Sequence, residues 1–143
     1  MTKEIQKFSI TLTVRVNDLN YGNHVAHQNY FSYFQEARVA YLRKFGFSEL
    51  NICGFGMIVS SAECKYKREL LAGDTINVSC SVTSVRSKMF SMSYQIVRNR
   101  VLCARGSTIN HIYDYQKKRI VPVPVEFMKA VDTFENSNRK IGV

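Results

Sequence analysis

The hydrophobic period of this chain changes at residues 18–30, and that change constrains the fold more than any other feature. Upstream, Phe8, Ile10, Leu12, Val14 and Val16 alternate with Ser9, Thr11, Thr13 and Arg15. This period of two predicts a half-buried strand. Asp18, Asn20, Gly22 and Asn23 then break the strand. Downstream, Tyr30, Tyr33, Phe34, Ala37, Ala40 and Tyr41 recur at helical spacing, and Phe31, Leu42 and Phe45 widen the stripe. The spacing predicts a helix over about 28–45, apolar around most of its girth and therefore buried. Gly46 ends it, with Arg43 and Lys44 in the last turn, where the helix dipole favours cations.

The rest of the chain reads mainly as strands. A short helical turn is predicted near 48–52, followed by Gly54 and Gly56. Alternating apolar residues predict strands at 57–68, 75–85, 90–97 and 101–115. Turn residues separate them at Ala72-Gly73-Asp74, Ser87-Lys88 and Asn99-Arg100. Pro124 suits the first turn of a short helix over 125–134, and 136–143 read as a frayed end. One strand, a long helix and four antiparallel strands describe an α+β domain spanning 1–143. In such a domain a curved sheet wraps around the helix, which is the layout of the hotdog fold. A single sheet of this kind leaves edges and part of the helix bare, so a homodimer, or a tetramer, is expected.

Charge and cysteine usage narrow the partners. The net charge of +9 favours an anionic partner. Apart from Lys65-Tyr66-Lys67-Arg68 and Lys117-Lys118-Arg119, the cations are scattered. Nucleic acid and a nucleotide-bearing cofactor such as coenzyme A are both candidates by charge, but scattered cations read as a solvated surface rather than a nucleic-acid footprint, so no nucleic-acid partner is expected. No apolar run is long enough to span a bilayer, and the polar start Met1-Thr2-Lys3-Glu4 does not read as a signal peptide, so a cytoplasmic protein without a membrane partner is expected. Cys53, Cys64, Cys80 and Cys103 form no C-x-x-C pair. They predict reduced, mostly buried thiols and no metal site.

Two segments carry a resemblance. Val16-Asn17-Asp18-Leu19-Asn20-Tyr21-Gly22-Asn23-His24-Val25 and Tyr30-Phe31-Ser32-Tyr33-Phe34-Gln35-Glu36-Ala37-Arg38 resemble the paired motifs of the 4-hydroxybenzoyl-CoA thioesterase family of hotdog acyl-CoA thioesterases. That pattern runs D-x-D-x-x-G-H-V, then Y-x-x-Y/F-x-E-x-A-R. The resemblance extends through Gly73-Asp74 to the Pro-Val-Pro near the end. It implies hydrolysis of a fatty or aromatic acyl-CoA, with coenzyme A as part of the substrate and no added cofactor. The chain departs from the pattern in two places. The second acid, a nucleophile or general base in many members, is Asn20, and the glycine before the histidine is Asn23. A histidine just before the helix occurs in a bacterial branch, and His27 stands at that position.

Thioester hydrolysis needs a polarised carbonyl, an activated water or nucleophile, and a grip on the coenzyme. The N-terminus of the central helix supplies unpaired N–H groups for the carbonyl, and Gly22 allows close approach. Asp18 is either the catalytic carboxylate or a cap on the loop. His27 is either the proton-handling group or a helix-start residue bonded locally. His24 reads as a loop-holding residue beside the substrate, and Asn20 as a donor to the carbonyl or an Asx-turn residue. Glu36, expected within the buried helix, needs a partner from elsewhere. It is either a second catalytic acid or half of an ion pair, for example with Arg38 of another subunit. Arg86, Ser87 and Lys88 form a basic turn that resembles the site for the nucleotide end of coenzyme A, with Arg68 and Lys65 as further phosphate candidates. His111 reads as a satisfied histidine within a strand. Two other functions fit parts of the pattern. Hotdog hydratases and dehydratases of enoyl-CoA share Asp18-x-Asn20, although Tyr21 replaces their proline. A non-catalytic acyl-CoA-binding module would explain Asn20.

Overall fold

The computed structural model describes residues 6–136. β1 (Phe8–Thr13) leads into a single 3-10 turn (Val16–Asp18) and then α1 (His27–Lys44). The strands β2 (Gly56–Tyr66), β3 (Thr75–Val85), β4 (Phe90–Arg98), β5 (Val101–Asp114) and β6 (Arg119–Val121) follow, and α2 (Val125–Glu135) closes the chain. All pairings are antiparallel, in the order β1-β3-β4-β5-β2, with β6 added to the end of β5. The sheet wraps α1, which is the hotdog arrangement expected from the sequence.

The core lies between the inner face of the sheet and one side of α1. Tyr30, Tyr33, Phe34, Ala37, Tyr41 and Leu42 bury that side against Ile76, Val78, Met92, Tyr94 and Ile112. The Phe34 ring stacks on Tyr94 at 4.7 Å. Gly106 permits this contact, because a Cβ there would lie 2.5 Å from the Phe34 ring and 2.5 Å from the Glu63 carbonyl oxygen.

Several local expectations are corrected. α1 is not apolar around most of its girth: Gln28, Ser32, Gln35, Glu36, Arg43 and Lys44 stand exposed on its outer side, so Glu36 is not buried in the single chain. The buried charge of the helix is Arg38 instead. Its Nε donates to Glu49 Oε2 at 2.6 Å, and its Nη1 donates to the Tyr94 hydroxyl at 3.1 Å. Arg38 is thus held within its own chain. β1 stops at Thr13, since the Val14 N–H turns to the Asp74 carbonyl and Val16 swings out to 74% exposure. Residues 48–55 form two tight turns closed by Ser48–Asn51 and Ile52–Phe55 bridges rather than a helical turn. β2 ends at Tyr66 because the N–H groups of Lys67 and Arg68 both donate to the Cys103 carbonyl. The three residues of β6 fall below the length at which alternation is legible. Of the thiols, Cys80 and Cys103 are buried, Cys64 is half-buried and Cys53 is exposed. Of the segment expected to fray, 137–143 lie outside the described residues. Among the described residues no helix is long and apolar enough to cross a membrane, and no cluster of three metal-ligating side chains occurs.

Candidate active site

The loop between β1 and α1 is built by its own polar groups. The Asn20 N–H donates to the His24 carbonyl at 2.9 Å, and the Asn23 N–H donates back to the Asn20 carbonyl at 3.1 Å. Asn20 Oδ1 accepts the Gly22 N–H at 2.8 Å, an Asx turn. Asn23 sits at φ 63°, in the left-handed region that glycine or asparagine adopts at least cost. The replacement of the family's glycine by Asn23 therefore keeps the turn. The Val25 N–H donates to the Leu70 carbonyl at 2.8 Å, which seats the segment after β2 beside the loop.

α1 then begins with its N-terminus open. Ala26 is the N-cap, no side chain caps the first turn, and no acidic residue lies in it. The start of the helix, at the positive end of the dipole, is thus left without a side-chain cap beside a cleft of about 330 Å³. Asn20, His24, Val25, His27, Tyr30 and Tyr66 line it, with Lys67, Arg68 and Glu69 at the rim. His27, the first helical residue, is exposed and stands edge-on to Tyr66 with ring centroids 6.5 Å apart. Tyr66 is also edge-on to the buried Tyr30 at 4.8 Å, and its hydroxyl donates to the His27 carbonyl at 3.2 Å. Burial pushes the Tyr30 phenol up to about 12, so it stays a neutral wall. His24 Nδ1 lies 3.4 Å from the Val25 carbonyl oxygen. The cleft thus gathers an imidazole, a side-chain amide and a guanidinium beside the uncapped start of α1.

Asp18 points elsewhere. Its carboxylate is 4% exposed and opens on a different cleft, of about 350 Å³, shared with Arg15, Tyr33, Gln35 and Glu36. Oδ2 accepts the Arg15 N–H at 3.0 Å and the Tyr33 hydroxyl at 2.8 Å, while Oδ1 accepts the Arg15 guanidinium at 3.0 Å. Burial pushes this carboxyl upward, but the Arg15 N–H, the Tyr33 hydroxyl and the Arg15 guanidinium outweigh it and hold it below the usual carboxylate range. The Asp18 main-chain carbonyl accepts the Ala26 N–H at 3.0 Å and the Asn29 side-chain amide at 2.8 Å. The residue ties β1, the loop and α1 together.

The turn of Arg86, Ser87 and Lys88 lies at the other end of the sheet. Tyr66 pairs with Ala104, whereas Val59 pairs with Asn110, which pairs with Phe90 just after the turn. The six steps along β5 from Ala104 to Asn110 span about 20 Å of strand. Within one chain, then, this turn does not meet the cleft at α1. Lys65 lines a third cleft, with Glu63 and Arg105. His111 sits by the turn, bonded to the Lys88 carbonyl and the Ser60 hydroxyl. Sequence reasoning missed Tyr66 as a site residue. The signal was its aromatic ring at the end of a strand within the basic cluster at 65–68.

Comparison with known proteins agrees with this architecture. Residues 14–131 match the thioesterase-like superfamily. A putative esterase of Aquifex aeolicus is 29% identical over 109 residues, covering 75% of this chain and 84% of that protein. The acyl-CoA thioesterase YbgC of Haemophilus influenzae is 23% identical over 126 residues, covering 86% and 93%. A DHNA-CoA thioesterase of Staphylococcus aureus superposes with a TM-score of 0.82 at 18% identity, covering 95% of each chain, and so shares the fold. With its helix-wrapping sheet and the match running from just after β1 into α2, the chain belongs to the thioesterase-like superfamily of thioester hydrolases.

Proposed function

We propose that the substrate is a fatty or aromatic acyl-CoA, hydrolysed at the open N-terminus of α1. The observation that carries this reading is that His27 and Asn20 line one cleft beside the uncapped start of α1, with Arg68 at its rim. The thioester carbonyl lies against the first turn, where main-chain N–H groups stabilise the oxyanion by an amount on the order of 3 kcal/mol. Asn20 commits its Oδ1 to Gly22, which leaves its NH₂ as a further donor. His27 takes a proton from water as water attacks, then returns it to the departing thiolate. Asp18 is the positioning residue, since it ties Ala26 and Asn29 to the loop from which Asn20 projects.

The site is completed by a second copy of the chain. β2 is an open edge strand, and the outer side of α1, which carries Glu36, is exposed. Pairing across these surfaces buries the edge and brings Glu36 and the Arg86–Lys88 turn within reach of a partner's cleft. Coenzyme A phosphates are then held by Arg68 and by this basic turn. No cofactor is needed, and the setting is the cytoplasm. The test is thiol release from a panel of acyl-CoA esters, with short, long and aromatic acyl groups, measured beside the molar mass in solution. Turnover of at least one ester by an oligomer supports the reading. Saturable binding without thiol release overturns it in favour of a binding module.

A further inference from the structure

The α1 cleft has one wall with no part in the chemistry assigned above. Tyr66, the last residue of β2, lays its ring against the start of α1. The ring stands edge-on to Tyr30 with centroids 4.8 Å apart, and edge-on to His27 at 6.5 Å. Its hydroxyl donates to the His27 main-chain carbonyl at 3.2 Å. Two ring contacts and a hydrogen bond hold Tyr66 in one orientation. All three run to α1, across the inner face of the sheet. A second copy paired on the β2 edge therefore adds to the mouth of the cleft and leaves this wall in place.

Among the side chains that line the cleft, Val25, Tyr30 and Tyr66 are the apolar ones. An acyl group gains only by covering apolar surface, so it runs from the thioester toward these three, while the coenzyme runs toward Arg68. Val25 and Tyr30 are buried, and Tyr33 backs Tyr30 at 6.3 Å, so the core closes the floor. The wall that remains to limit the acyl group is Tyr66. Two positions upstream, on the same face of β2, lies the half-buried Cys64. Burial pushes this thiol up to about 11, so it stays neutral and behaves as a small apolar side chain. Removing the Tyr66 ring opens the cleft along β2 toward it.

We propose that Tyr66 determines the acyl specificity of the cleft: its ring closes the far end, so that short-chain and single-ring acyl groups fit and long chains do not. This rests on the α1 cleft being the acyl-CoA site. A long chain either displaces the ring, breaking its hydrogen bond and its contacts with Tyr30 and His27, or leaves its distal methylenes in water. Both outcomes remove the gain that each added methylene brings in an open apolar pocket.

The test uses thioethers, which cannot be hydrolysed and so report binding whatever the fate of an ester. Calorimetry on the full chain reads the affinities of S-butyl-CoA and S-dodecyl-CoA. Wild type is expected to bind S-dodecyl-CoA no tighter than S-butyl-CoA. Tyr66→Ala is expected to bind S-dodecyl-CoA roughly 10-fold or more tighter than wild type does, without a matching gain for S-butyl-CoA. Tyr66→Val repeats the test with a residue that suits a strand and so guards against misfolding of the alanine variant. Tyr66→Phe keeps the ring without the hydroxyl, and is expected to keep the wild-type ratio of affinities. Equal affinity of wild type and both truncated variants for S-dodecyl-CoA overturns the proposal. A Tyr66→Phe variant that behaves like Tyr66→Ala also overturns it, and assigns the selectivity to the hydrogen bond on His27. Failure of both thioethers to bind overturns it together with the acyl-CoA reading. Size selection in binding without thiol release from any ester supports the role of Tyr66 and overturns hydrolysis alone.

Discussion

Arg38 Nε donates to Glu49 Oε2 at 2.6 Å, and Arg38 is 6% exposed. The pair links the inner side of α1 to the turn before β2, and through Tyr94 it reaches Thr108 on β5. Removing one partner strands the other charge in a low-dielectric site. Glu49→Ala is expected to destabilise the fold by about 3 kcal/mol, read as a lower denaturant midpoint. Replacing both residues, as Arg38→Met with Glu49→Leu, recovers most of that loss. A Glu49→Ala variant as stable as wild type would show that the Tyr94 hydroxyl alone suffices.

The Asp18 carboxyl is held below its ordinary value in the folded chain, whereas an unfolded aspartate titrates at about 3.9. Its contribution to stability is therefore complete above that ordinary value, and is lost as pH falls from it through the lower folded value. Asp18→Asn should flatten the acid limb of stability against pH, measured by denaturant titration from neutral to strongly acidic solution. An unchanged acid limb would mean that other carboxylates govern it.

Gly106 lies where β5 passes beneath Phe34. Gly106→Ala places a methyl group 2.5 Å from both a main-chain carbonyl oxygen and the aromatic ring. Neither can yield freely, since Phe34 is fully buried and stacked on Tyr94. The expected cost is about 3 kcal/mol, seen in thermal unfolding. Phe34→Leu in the Gly106→Ala background should return part of it.

His27→Ala is expected to lower kcat for thioester hydrolysis by roughly 100-fold or more, with a smaller change in KM, because general acid–base help acts in the transition state. Arg68→Ala should do the reverse, raising KM for CoA esters and doing so less at high salt. Steady-state kinetics on one well-turned-over ester distinguishes them. A His27 variant with unaltered kcat would move the proton-handling role to another group.

Asn20→Asp retains an acceptor oxygen for the Gly22 N–H, so the Asx turn and fold stability are kept, while Asn20→Ala loses about 1 kcal/mol with that hydrogen bond. Comparing the two by thermal unfolding separates the turn-forming role of Asn20 from any part in hydrolysis.

Much of this was legible in the residues. Alternation located β1, β3, β4 and β5 to within a few residues, because a strand with one buried face must repeat every two positions. The stripe from Tyr30 to Leu42 identified α1, and Gly46 its end. What the stripe could not show is which polar residues on the helix face inward. Arg38 and Glu36 are both charged and two positions apart, yet Arg38 is buried and Glu36 exposed. That outcome depends on Glu49 and Tyr94, which arrive from other elements.

The polar loop at 18–26 divides in the same way. Its existence, its turn and its place before a helix follow from Asp, Asn and Gly chemistry in the sequence alone. The directions of its side chains do not. Asp18 turns into the cleft with Glu36, and His27 into the cleft with Arg68, although nine positions of one short loop separate them. Local propensity sets the hydrophobic period and the turns. Only packing decides which cleft a side chain enters, because Tyr33 and Arg15 draw Asp18 one way while Tyr66 and the segment after β2 lie beside His27 on the other. The Ser60–His111 pair is likewise a product of tertiary structure, since residues 51 positions apart meet through the register of β2 on β5 and a bulge between Val59 and Ser61 that turns Ser60 toward the ring.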